Sequence, residues 1–144
     1  YGTALESALK MGETIHIPSC CYEIEEYIHG PNLQLTPQYN VIFFDGNDGA
    51  SRRVEQVYKA TRKVTNRAYL ISNNPQLSSD DHVLSLSDTV SSELSPLVYL
   101  PFVQLLSFIV SNDLHSIYQH PLLKEFKAIA AAKTENFVNY DGDD

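Results

Sequence analysis

The sequence predicts an α/β domain in which the strands of a parallel sheet alternate with helices, and three observations carry that expectation. Three short runs, Tyr39 to Phe44, Ala68 to Ser72 and His82 to Leu86, are bounded by turn residues, as buried strands are. Before, between and after them, apolar residues recur at helical spacing. The strand runs are close to continuous in apolar character, the mark of a parallel sheet covered by helices on both faces. At 144 residues and 43% hydrophobic, the chain is long enough for one such domain with its own core.

Each element follows in order. At about 100° per residue, Ala4, Leu5, Ala8, Leu9, Met11, Gly12 and Ile15 share one broad arc, which predicts an amphipathic helix from Gly2 to His16. Glu6, Lys10 and Glu13 cluster beside that arc. Pro18 ends the helix, and Tyr22 to Ile28 reads as a short acidic helix stopped by Gly30 and Pro31. After the strand Tyr39 to Phe44 comes the turn-rich Asp45-Gly46-Asn47-Asp48-Gly49, and Ser51 is expected to cap a helix running to about Val64. The strand Ala68 to Ser72, a loop from Asn73 to Asp81 and the strand His82 to Leu86 follow. A long apolar helix spans Ser95 to Val110. Pro121 to Ala132 predicts one more helix, and the tail ending in Asp141-Gly142-Asp143-Asp144 is expected to be disordered.

Composition narrows the function. A net charge of −8 and a pI near 5.0 leave no broad basic surface for a phosphate backbone, so nucleic acid is not an expected partner. The longest apolar run, Leu97 to Val110, contains Pro101 and Gln104 and falls short of the roughly 20 residues of a membrane span, so no membrane association is expected. No signal-peptide pattern is visible, and Cys20 and Cys21 are adjacent, a spacing unsuited to an ordinary structural disulfide. Reduced thiols in the cytoplasm are the simpler reading. The chain opens at Tyr1 directly in a helical pattern, which suggests that further sequence lies upstream.

The candidate chemistry is that of proton transfer. Glu6 and Lys10 form an i,i+4 pair, which by itself is a surface contact contributing about 0.2 to 0.5 kcal/mol to a helix. Glu13 lies about 40° from Leu9 on the helical wheel, at the border of the apolar arc, where partial desolvation suits a general base. A solvated border glutamate is the plainer alternative. His29 ends the acidic helix with Glu25 at i−4 and Glu26 at i−3, and both the helix dipole and those carboxylates favour an imidazolium able to donate a proton. A simple C-terminal cap fits equally well. The loop Asp45 to Gly49 has Gln56 where a calcium loop needs its bidentate glutamate, and the five histidines lack metal-ligand spacing, so no metal is expected. That loop remains a candidate ligand-facing loop at the carboxyl end of a strand. No glycine-rich phosphate cradle is present, which removes kinase and dehydrogenase readings.

The run Tyr1-Gly2-Thr3-Ala4-Leu5-Glu6-Ser7-Ala8-Leu9-Lys10-Met11-Gly12-Glu13, followed by Glu26-Tyr27-Ile28-His29-Gly30-Pro31, resembles the second sugar-isomerase (SIS) domain of the glucosamine-6-phosphate synthase and fructosamine-6-phosphate deglycase family. The similarity extends to about Leu114 and is strongest in the first 31 residues. It implies a flavodoxin-like, three-layer αβα sandwich whose first strand lies before Tyr1. Residues 1–120 would form the domain, and 121–144 a tail with one helix and a disordered acidic end. Glu13 then matches the glutamate that moves a proton between C1 and C2 of an open-chain sugar phosphate, and His29 the ring-opening histidine. Glu6 and Lys10 match a pair lining the same site. Glu26, and Lys133 in Ala132-Lys133-Thr134, are the remaining residues expected to bind the sugar.

Glu25-Glu26-Tyr27-Ile28 replaces the Gly-Glu-Leu-Lys common in synthases, and Asn32-Leu33-Gln34 follows, a pattern closer to the deglycase branch. The resemblance thus implies a ketosamine 6-phosphate deglycase needing neither metal nor redox cofactor. The alternatives are an isomerising glucosamine-fructose-6-phosphate aminotransferase, a ketose-aldose isomerase, or a sugar-phosphate-sensing regulatory module. It also implies an upstream SIS domain in the same polypeptide, bearing the phosphate-binding loop, and a homodimer or higher homo-oligomer.

Overall fold

The computed structural model describes residues 1–86, 90–116, 125–126 and 129–130. Its elements are helix α1 (Gly2–Ile15), helix α2 (Ile24–Ile28), a 3₁₀ turn (Pro31–Gln34), strand β1 (Val41–Phe44) and helix α3 (Ser51–Thr61). Strand β2 (Ala68–Ser72), a second 3₁₀ turn (Pro75–Leu77), strand β3 (Val83–Ser85) and helix α4 (Ser95–Leu114) follow. The strands pair in the order β1-β2-β3, all parallel, with Phe43 opposite Leu70 and Leu70 opposite Val83. The expected helix at 121–132 and the tail lie largely outside the described residues.

Side-chain alternation along the strands separates two faces. Phe43 meets Tyr27 of α2 and Tyr58 of α3 edge to face, with ring centroids 6.0 Å apart in both pairs. Its neighbour Phe44 lies instead against Tyr99 of α4, at 6.2 Å. The layer of α2 and α3 therefore covers one face of the sheet and α4 covers the other. Helix α1 packs along α4. The result is a three-layer α/β fold with an open parallel sheet at its centre.

The main core lies between the sheet and α3. Phe43, Val54, Val57, Tyr58, Ala68, Leu70 and Leu77 are buried there, and Ile24, Tyr27, Ile28, Val41 and Val83 pack around them. Each large side chain so buried contributes about 1.5 to 3 kcal/mol. On the other face α4 turns inward the i,i+4 row Tyr99, Val103, Ser107 and Ser111, while α1 buries Ser7 and Ile15. Ser116 closes the far end of this pair by donating from Oγ to the carbonyl of Thr14 at 2.5 Å.

Four features differ from the sequence reading. First, Leu5 and Leu9 are 46% and 54% exposed, because α1 meets α4 along the stripe holding Ser7 and Ile15. On the helical wheel Leu9 is about 120° from Ile15, outside that stripe. Second, Ser51 is the first helical residue of α3, and the cap is Ala50, which has no side-chain cap bond. The Ser51 hydroxyl is used inside the preceding loop. The helix also stops at Thr61, and 3₁₀-type bonds from Lys63 to Ala60 and from Val64 to Thr61 tighten the chain beyond it. Third, Pro31–Gln34 forms a 3₁₀ turn.

The fourth difference concerns length. α4 continues through Ser111, Asn112 and Asp113 to Leu114 before His115, at φ 50, ends it in the left-handed region. Polar residues there read as a helix end, but a last turn tolerates them. Its 20 residues are, by length and composition alone, long and apolar enough to cross a membrane, and the helix is longer than the run Leu97 to Val110 led one to expect. Here the helix lies along α1, with Leu97, Leu105, Phe108 and Ile109 exposed on its outer side.

Candidate active site

Helix α1 gathers three of the expected site residues. Lys10 Nζ donates to Glu13 Oε2 at 2.9 Å and lies 3.6 Å from Glu6 Oε1. The three charges share a stripe because i, i+4 and i+7 positions recur on one helix face. The hydrogen bond to Glu13 and the charge of its carboxylate raise the Lys10 ammonium above the ordinary lysine value, with Glu6 adding to the effect. Lys10 is thus held charged. The Glu13 side chain is 50% exposed, so the partial burial expected for it is not found in the single chain. The cause is plain: Leu9, the apolar neighbour it borders, is itself exposed.

Helix α2 organises the second group through its caps. Glu23 accepts hydrogen bonds at Oε2 from the backbone N–H of Glu25 at 2.8 Å and of Glu26 at 3.3 Å, and Glu26 reaches back to the N–H of Glu23 at 3.4 Å. This reciprocal box satisfies donors that the helix start leaves open. Glu26, expected to bind sugar, spends one carboxylate oxygen in it.

His29 caps the other end. Its Nδ1 lies 2.6 Å from the carbonyl oxygen of Glu25. A carbonyl only accepts, so Nδ1 carries the hydrogen, and in the neutral ring the lone pair sits on Nε2. Nε2 is then the atom able to exchange a proton. Arg53 of α3 grips the same turn, donating from Nε to Glu25 Oε1 at 2.8 Å and from Nη2 to Oε2 at 3.3 Å. That guanidinium hydrogen bond, with its charge, holds the Glu25 carboxyl below the usual carboxylate range. Arg53 had no signal in the sequence, since it meets Glu25 across 28 positions.

The structure brings Glu6, Lys10 and Glu13 together, and separately brings His29, Glu25 and Glu26 together. The two groups ride on opposite helical layers of the sheet. Among the described residues no hydrogen bond or ion pair joins them. Lys133 lies outside the described residues.

In the loop singled out as ligand-facing, Asp45 is engaged by the fold itself. The buried Asp45 accepts from Ser51 Oγ at 2.5 Å and the N–H of Asn47 at 3.0 Å on Oδ1, and from Ser72 Oγ at 2.7 Å on Oδ2. Tyr99 donates its hydroxyl to the Asp45 carbonyl. Asn47, at φ 53, takes the left-handed conformation that asparagine tolerates better than most residues. Asp45 therefore ties β1, β2, α3 and α4 together at the carboxyl end of the sheet.

No family model matches the chain. A glutamine–fructose-6-phosphate aminotransferase (isomerizing) from Methanothermobacter thermautotrophicus is 31% identical over 117 residues, covering 78% of this chain and 20% of that protein. A solved structure from Clostridium difficile 630, assigned as a phosphosugar isomerase, superposes over 92% of this chain and 37% of its own. Its TM-score is 0.74 at 22% identity, a likeness of fold. A second, from Salmonella typhimurium LT2 and assigned as a sugar binding protein, covers 76% of this chain and 33% of its own, with a TM-score of 0.65 at 27% identity. The chain thus spans between a fifth and rather more than a third of the proteins it matches. The α/β layering, the α1 stripe Glu6-Lys10-Glu13 and these likenesses converge: the chain is an SIS-type sugar-isomerase domain of the family that includes the glutamine–fructose-6-phosphate aminotransferases.

Proposed function

We propose that this domain is the carboxyl-terminal part of a cytoplasmic ketosamine 6-phosphate deglycase whose active site is shared between two copies of the chain. The observation that carries the reading is the α1 stripe, where Lys10 holds the Glu13 carboxylate at 2.9 Å with the Glu13 side chain half exposed. Exposed Leu5 and Leu9 lie beside that stripe. A partner seated on them removes water from Glu13, which is the condition a general base requires.

In the reaction, His29 protonates the ring oxygen through Nε2 as the C2–O bond opens. Glu13 takes a proton from C1 and returns it at C2 while the amine N–H proton is lost and the C2 carbonyl oxygen gains one, so the C1 amine becomes a C1 imine and the C2 carbonyl a hydroxyl. Water adds to that carbon, and the C–N bond breaks to give an aldose 6-phosphate and the free amine. Lys10 steadies Glu13, and Glu6, Glu26 and Lys133 contact the sugar. Because Glu13 and His29 sit on opposite layers, His29 of one protomer serves Glu13 of its partner in a homodimer. A second SIS domain of the same polypeptide supplies the phosphate grip, in keeping with a chain that spans 37% of the solved isomerase. The free thiols of Cys20 and Cys21 suit a reducing cytoplasm.

The second reading is an isomerising aminotransferase, favoured by the 31% identical relative. One experiment separates the two. Full-length protein is incubated with fructosamine 6-phosphates alone, and with fructose 6-phosphate plus glutamine, and the products are identified by mass spectrometry. Aldose 6-phosphate and free amine from the first mixture support the deglycase. Glucosamine 6-phosphate from the second supports the aminotransferase, and no product from either overturns both.

A further inference from the structure

A cleft of about 390 Å³ opens between α3 and the segment that carries the His-Gly-Pro turn. Its volume falls within the roughly 300 to 1,000 Å³ of small-molecule sites. Ile28, Leu35, Val57, Ala60 and Val64 give it an aliphatic wall, and Asn32, Arg53 and Gln56 supply polar groups. Two buried polar atoms in its lining residues, Tyr27 Oη and Asn32 Oδ1, have no hydrogen-bond partner among the described residues.

Position gives the cleft its meaning. Ile28 and Asn32 bracket His29, Gly30 and Pro31, so the cleft opens within one residue of the motif on either side. Arg53 lines it and also holds Glu25, whose carbonyl fixes His29. In a ketosamine the amine nitrogen is bonded to C1, next to the C2 whose ring bond His29 opens. The amine half must therefore lie close to His29.

We infer that this cleft receives the amine half of the substrate and selects an aliphatic amino acid there. The inference rests on the deglycase reading. The aliphatic wall takes the side chain. The Arg53 Nη1 group, outside the pair with Glu25, faces the α-carboxylate. Arg53 is already paired with Glu25, so an acidic side chain gains less there than it would at an unpaired arginine, and apolar contact decides.

The test compares kcat/KM of the full-length enzyme for the leucine-, glycine- and aspartate-derived fructosamine 6-phosphates. Leucine is expected to exceed both others by about tenfold or more, the scale of a few buried methylenes. Ala60→Phe and Gln56→Phe, two substitutions at exposed positions of α3, fill the cleft and should bring the leucine-to-glycine ratio to within about twofold of unity. Equal turnover of all three substrates, or a ratio that survives both substitutions, overturns the cleft assignment while the deglycase reading stands. If no fructosamine 6-phosphate is cleaved, the deglycase reading falls and takes this inference with it.

Discussion

In the proposed reaction Lys10 is the central positioning residue, because its ammonium fixes the Glu13 carboxylate at 2.9 Å and keeps Glu6 within 3.6 Å. Replacing Glu13 by Gln keeps the shape and removes the base. Turnover of the full-length enzyme is expected to fall by about 10²- to 10⁴-fold with KM little changed, and retention of near-wild-type kcat would contradict the role. Asp45 plays the structural counterpart. Asp45→Ala strands the hydroxyls of Ser51 and Ser72, and urea unfolding should show a loss of about 1 to 3 kcal/mol. A loss below about 0.5 kcal/mol would mean water replaces the carboxylate. The Glu6-Lys10-Glu13 stripe and the place of His29 at the end of α2 were legible in the sequence because each lies within one short stretch. Arg53 and the Asp45–Ser72 contact were not, since each joins residues 27 or 28 positions apart that only the fold brings together.

At the scale of elements, α2 shows how little chain holds the histidine. Five residues cannot persist as an isolated helix, so its caps and the Arg53 tie decide its stability. Glu23→Ala removes the capping acceptor and is expected to cost the helix about 0.5 to 2 kcal/mol, read as faster hydrogen exchange at the amides of Glu25 and Glu26. Unchanged exchange there would mean the Arg53 tie alone suffices. Periodicity placed α1 correctly but drew its apolar arc too wide. A helical wheel shows which residues share a side, and only the position of α4 shows which part of that side is buried. The same limit applies to α4, whose inner row of Tyr99, Val103, Ser107 and Ser111 is less apolar than its exposed outer side.

The whole molecule is a sheet with its two chemical groups on opposite sides. Strand runs bounded by turn residues made the α/β class and the parallel order legible, since each strand reads almost wholly apolar. The separation of Glu13 from His29 was not, because sequence order places both before the first strand and says nothing of which layer each helix joins. Exposed Leu5, Leu9, Leu105 and Phe108 fall on the α1 and α4 side, where a partner would cover Glu13. The shared site proposed above would tie catalysis to assembly, and on that proposal a protomer alone is expected to be inactive.

Complementation tests this most directly. Full-length Glu13→Gln and His29→Ala proteins, each inactive alone, are mixed in equal amounts under conditions that allow subunit exchange. Half of the dimers then carry both substitutions on different chains, with one intact site each, so about one quarter of wild-type turnover should return. A mixture that stays as inactive as its two parents, with exchange verified by native mass spectrometry, would contradict the shared site.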